Sequence, residues 1–126
     1  MDQDSLTKLA TIDRKLYDIC TEANKVMPFK VIAGFRNQEQ QNADFAKGVT
    51  KLKWPDGKHN KSPSLAVDLA PDPIDWNDTA RFYVLAGIML AVASSKGIKL
   101  RWGGDWNGNF DIKHNSFNDL GHFEIV

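Results

Sequence analysis

The chain has 126 residues, 42% of them hydrophobic and 25% charged, which fits one folded domain with a two-layer core and excludes a disordered chain. Its 16 basic and 16 acidic residues cancel. A dedicated nucleic-acid binder needs a basic excess to neutralise phosphates, and none is present, so nucleic acid is not an expected partner. The single cysteine, Cys20, excludes an intrachain disulfide and suits a reducing compartment.

In chain order, Asp4 or Ser5 can cap a first helix. Leu6, Leu9, Ile12, Leu16, Ile19, Ala23 and Val26 follow at helical spacing, predicting a helix from about residue 5 to 26 that ends before Pro28. Phe29 to Phe35 reads as a strand, Gly34 and Asn37 as the limits of a turn, and Gln38 to Lys47 as a short helix. Gly48 to Pro63 is a long loop by composition, and loops of that length in small domains are usually functional or mobile. Ser64 to Leu69 is a strand candidate. Alternation sets Leu65, Val67 and Leu69 on one face and Ser64, Ala66 and Asp68 on the other. Asp78 or Thr79 opens a second long helix that runs to about Lys96 and is stopped by Gly97. Ile98 to Trp102 is a short strand, Gly103 to Asn118 a polar loop, and His122 to Val126 a terminal strand. Helices and strands without regular βαβ alternation make the expected fold class α+β. A small, mostly antiparallel sheet would carry the functional residues, with the two long helices packed on one side.

Phe82 to Ala93, the longest apolar stretch, falls short of the roughly 20 residues that cross a bilayer. The start, Met1-Asp2-Gln3-Asp4-Ser5, lacks the basic and apolar regions of a signal peptide. A protein made in the cytoplasm is expected. A target outside the membrane would require release by a separate lysis protein.

The chemistry-bearing residues are few. The three histidines are His59, His114 and His122. Asp68 lies inside Leu65-Ala66-Val67-Asp68-Leu69-Ala70, where an unpaired carboxylate is costly and needs a cation, a salt bridge or a cap. Asp119 stands three residues before His122. Two imidazoles and one carboxylate are a donor set that suits zinc in hydrolases, with one position left for water. Such a site keeps positive charge, which acidifies the water and polarises a carbonyl, and a nearby carboxylate that does not ligate can accept the proton.

The stretch Ser64-Leu65-Ala66-Val67-Asp68-Leu69, with His59 upstream, resembles the first zinc motif of the D-Ala-D-Ala carboxypeptidase and L-alanyl-D-glutamate peptidase family, with the nearest likeness to its short phage endolysins. Asp119-Leu120-Gly121-His122-Phe123-Glu124 resembles the second motif. Leu100-Arg101-Trp102-Gly103-Gly104-Asp105-Trp106 resembles the segment before it, and Gly34-Phe35-Arg36-Asn37-Gln38-Glu39-Gln40 the segment whose arginine contacts substrate. The resemblance implies one zinc ion held by His59, Asp68 and His122, Asp119 as general base, and Arg36 on the oxyanion or a substrate carboxylate. It also implies a peptidoglycan stem peptide as substrate, cut at an L-alanyl-D-glutamate or a D-Ala-D-Ala bond, and a monomeric enzyme.

Two departures from the family pattern stand out. The interval from His59 to Asp68 is two residues longer than the usual one, and the excess falls in Asn60 to Ser64. The serine often found two residues before the first histidine is replaced by Gly57, so a supporting hydrogen bond to His59 is either absent or comes from Ser62 or Ser64. Among the remaining polar and aromatic residues, His114, Trp102 and Trp106 are candidates to line the cleft, and Asp105 and Glu124 to support a ligand from behind. Two rival readings remain open. One is a non-catalytic peptidoglycan-binding domain on the same fold. The other is a His-Asn-His metallonuclease, suggested by His59-Asn60 and His114-Asn115.

Overall fold

The computed structural model describes residues 1–115 and 117–126, apart from the side chain of His114. Two helices open the chain, α1 (Gln3–Leu9) and α2 (Arg14–Val26), followed by β1 (Phe29–Ala33) and α3 (Gln38–Ala46). A 3-10 turn at Lys58–Asn60 leads into β2 (Ala66–Pro71), then α4 (Thr79–Ser95), β3 (Leu100–Gly103), a second 3-10 turn at Ile112–His114, and β4 (Asp119–Ile125). The strands form one four-stranded sheet in the order β1-β2-β4-β3, with every neighbouring pair antiparallel. The fold is α+β, as expected.

The predicted helix over residues 5–26 is two helices. Asp13 caps α2 by accepting a hydrogen bond from the Lys15 N–H at 2.9 Å. Just before it, Thr11 and Asp13 exchange backbone hydrogen bonds with Ser64 at 2.9 and 2.8 Å. The apolar spacing runs unbroken through Leu9, Ile12 and Leu16, which is why periodicity conceals the break. The first cap is Asp2, not Asp4 or Ser5, and the Ser5 hydroxyl instead accepts from the Val31 N–H at 2.9 Å.

Alternation along β2 and β4 divides the sheet into an apolar and a polar face. Val67 pairs with Phe123 on the face covered by α4, against which α2 packs, and both are fully buried in a core with Leu16, Ile19, Leu69, Leu85 and Met89. Full burial of such side chains contributes about 1.5–3 kcal/mol each. Asp68 pairs with His122, and Ala66 with Glu124, on the opposite face. Among the described residues no helix is long and apolar enough to cross a membrane.

Candidate metal centre

Three distant segments converge on the polar face of the sheet. Asp68 and His122 are cross-strand partners in β2 and β4, and the 3-10 turn brings His59 over them. His59 Nε2 lies 3.2 Å from Asp68 Oδ1 and 3.3 Å from His122 Nδ1, and the third side of the triangle, His122 Nδ1 to Asp68 Oδ1, is 3.1 Å. Donors held about 2.0–2.2 Å from a tetrahedral cation stand about 3.3–3.6 Å apart. The triangle is thus one face of such a site, slightly contracted, and the group could hold a metal ion.

The other edge of each donor is occupied, which fixes the orientation of the set. The Gly34 carbonyl accepts from His59 Nδ1 at 2.7 Å, leaving Nε2 for the centre. Glu124 Oε1 accepts from His122 Nε2 at 2.8 Å, leaving Nδ1. Arg36 Nη2 donates to Asp68 Oδ2 at 2.8 Å, leaving Oδ1. Buried histidine ligands ordinarily carry such partners, which set the tautomer and raise basicity. The extra loop length is absorbed outside the site. Lys61, Ser62 and Pro63 are exposed, while Asn60 is buried and donates to the Arg36 carbonyl at 3.0 Å and to Gln41 Oε1 at 3.1 Å.

Charge follows this geometry. Burial alone raises the Asp68 carboxyl, but the charges and hydrogen bonds of His59 and His122 outweigh it and hold the group well below the usual carboxylate range. Burial lowers His122, yet hydrogen bonds to Asp68 and Glu124 and the charges of Asp68 and Asp119 push it up to about 9. Asp119 is raised by burial and by the charge of Asp68. For Glu124, burial acts upward, but the hydrogen bond and charge of His122, with Lys58 and Arg101, bring it below its ordinary value.

Asp119 Oδ2 is 4.0 Å from His122 Nδ1. In a regular strand, residues three apart face opposite sides. Here the pairing of β4 with β3 steps from Trp102–Phe123 to Gly103–Asp119, so Leu120, Gly121 and His122 bulge and Asp119 turns toward the donor triangle. Gly103 and Gly121 permit this close approach. A Cβ on Gly103 would lie 2.1 Å from the Asp119 carbonyl oxygen, and one on Gly121 would lie 2.4 Å from that of Leu69.

The remaining expected residues are distributed unevenly. Arg36, expected on an oxyanion or a substrate carboxylate, has its guanidinium on Asp68 and, through Nε, on Asp44 at 3.1 Å. Ser62 is exposed and, among the described residues, has no bond to His59. The Ser64 hydroxyl is buried, donating to the Ala66 carbonyl at 2.7 Å. The hydrogen bond that supports His59 comes instead from the backbone carbonyl of Gly34. Trp102 belongs to the core rather than the cleft, with its Nε1 donating to the Leu120 carbonyl at 2.8 Å. Asp105 caps a turn by accepting from the Phe110 N–H at 2.9 Å. Trp106 does reach the site, its ring 5.4 Å from that of His122. The His114 side chain lies outside the described residues.

Sequence reasoning missed Gly34, Gln41, Asn60 and Asp44. Gln41 carried the only local signal, a polar residue on the inward face of a short helix; it is fully buried and donates to the Leu52 carbonyl at 2.6 Å. Two cavities meet at Asp68. One, of 590 Å³, includes Arg36, Gln40 and Lys47. The other, of 370 Å³, includes Trp76, Phe82 and Asp119.

A family model described as phage L-alanyl-D-glutamate peptidase matches residues 1–126. The L-alanyl-D-glutamate peptidase of Escherichia phage T5 is 33% identical over 133 residues, spanning 98% of this chain and 96% of that protein. In fold, the chain resembles the crystal structure of the Serratia marcescens L-Ala D-Glu endopeptidase ChiX, with a TM-score of 0.79 at 21% identity over 100% of this chain and 89% of that one. Full-length agreement with both the family model and the phage T5 protein means that this chain belongs to the phage L-alanyl-D-glutamate peptidase family.

Proposed function

We propose that the chain is a zinc-dependent endopeptidase, one domain over residues 1–126, that hydrolyses the L-alanyl-D-glutamate bond of peptidoglycan stem peptides. The observation that carries this reading is the triangle of His59, Asp68 and His122 with Asp119 beside it, where two cavities meet. A cleft continuing on both sides of the reacting centre suits an internal bond, whereas a carboxypeptidase needs one closed end. Zinc fits the donor set of two imidazoles and a carboxylate.

When bound, the ion supplies positive charge that acidifies water and polarises the scissile carbonyl. The chain's own residues do the rest. Asp119 accepts a proton from the attacking water and returns it to the leaving amine. Gly34, Glu124 and Arg36 hold the three donors in orientation, so little reorganisation is needed as charge develops.

Digestion of purified peptidoglycan tests the reading. Mass spectrometry should find fragments with new amino-terminal D-glutamate, chelation should abolish their release, and zinc should restore it. Release of free D-alanine, or wall binding without new amino groups, would overturn it.

A further inference from the structure

The two cavities that meet at Asp68 differ in charge. The larger is lined by three cations, and two of them are committed. Lys8 is paired with Asp4 at 2.8 Å, and Arg36 with Asp68 and Asp44. Lys47 follows α3 directly, is exposed, and among the described residues has no ion-pair partner. The smaller cavity has no cation in its wall. Leu120, Trp76 and Phe82 line it and not the larger one, and the rings of Trp76 and Phe82 stack at 5.7 Å. Trp76 keeps 59% of its surface exposed at this edge.

An alanyl–glutamyl bond is asymmetric in the same sense. Its acyl side ends in a methyl group without charge. Its amino side is a residue with two carboxyls, and a chain that continues through one of them leaves the other free and anionic. Resting on the endopeptidase reading above, we propose that Lys47 is a specificity-determining residue that takes the free carboxylate of the glutamyl residue. The substrate then lies with its glutamyl side in the Lys47 cavity and its alanyl side against Trp76 and Phe82. An ammonium on a flexible stem suits this task, because it can follow a carboxylate whose position varies with the rest of the peptide. Apolar contact with Trp76 and Phe82 adds affinity on the acyl side without charge selection.

Two peptides test this, each an N-acetyl-L-alanyl-D-glutamyl peptide, one with the glutamyl carboxylate free and one with it amidated. The metal-loaded wild type should favour the free acid by about tenfold in kcat/KM, mainly through KM, as expected for one charge-assisted contact. Lys47→Gln should bring the ratio toward one through loss on the acid peptide, and Lys47→Arg should restore most of it. Trp76→Ala should weaken both peptides alike and keep the ratio. Equal cleavage of the two peptides by the wild type, or an unchanged ratio in Lys47→Gln, overturns the proposal while leaving the endopeptidase reading intact. A shift of the ratio in Trp76→Ala but not in Lys47→Gln means that the substrate lies the other way round, and also overturns it. Failure of the wild type to cut either peptide removes the endopeptidase reading, and this proposal with it.

Discussion

At the scale of single residues, the proposed roles separate holding a metal ion from moving the proton. Asp119 stands outside the donor triangle, with its nearer oxygen 4.0 Å from His122 Nδ1. Asp119→Asn keeps the shape but cannot accept a proton, so metal content should stay at wild-type level while kcat falls about 10²–10⁴-fold. Metal analysis alongside wall-lysis rates checks both halves, and near-normal lysis would make another group the base. His122 gives a pH signature for the chelated protein. Its proton affinity in the fold, up to about 9 from an ordinary 6.5, is raised. The stability this provides is therefore complete below pH 6.5 and is lost as pH climbs through about 9. Asp68 is depressed, so its contribution is present above the ordinary carboxylate range and is lost as pH falls. Thermal melts in chelator should show a lower Tm at pH 9.5 than at pH 6.5 (about three units apart on the scale that matters to one imidazole); equal values would mean that His122 is not held charged between its two carboxylates.

At the scale of elements, β4 is the strand that makes the site. Its bulge opposite Trp102 and Gly103 brings Asp119 and His122 to one place, and its pairing with β2 sets His122 against Asp68. Gly121 lies at the centre of both features. In Gly121→Ala the new methyl would be driven into the Leu69 carbonyl, so β2 and β4 must separate or β4 must shift. Overpacking of this kind costs about 1–3 kcal/mol. Urea unfolding should show a lower midpoint with an unchanged slope, and the folded variant should bind zinc more weakly than wild type. Wild-type metal affinity in this variant would mean that the close approach at Gly121 does not position the donors.

At the scale of the whole molecule, an ion at this site would tie together the 3-10 turn before β2, β2 itself and the last strand. A ligand that binds only the folded state stabilises it by about 2.7 kcal/mol at a hundredfold excess over its Kd. Removing zinc with a chelator near neutral pH should therefore lower Tm by about 10 °C, and adding zinc back should restore it. Calorimetric scans with and without chelator check this, and a Tm indifferent to zinc would remove the three-segment assignment.

The elements with a strong local period were legible in the sequence. Apolar spacing marked the stretch of α1 and α2 as helical, a cap at Asp78 or Thr79 and a stop at Gly97 bracketed α4, alternation in Leu65 to Leu69 put Asp68 on the face opposite Val67, and motif order singled out His59, Asp68, His122 and Asp119. Those features are local, or are carried by residue types whose chemistry is narrow. What the sequence alone could not reveal depends on groups that meet from far along the chain. The break at Thr11 to Asp13 exists because Ser64 pairs there, and no property of residues 11–13 announces it apart from a cap at Asp13. The partner of His59 is the carbonyl of Gly34, a group every residue possesses, so composition cannot mark it. Arg36 reads as a substrate contact by motif, but its ion pairs with Asp68 and Asp44, which the chain brings within reach only after β1 and β2 pair, leave no mark in the sequence. Asp119 and His122 converge through a bulge that contradicts simple alternation. Residue type and period thus determined which groups could act, whereas sheet register and backbone approach, set by packing across the whole chain, decided which atoms of those groups face the centre.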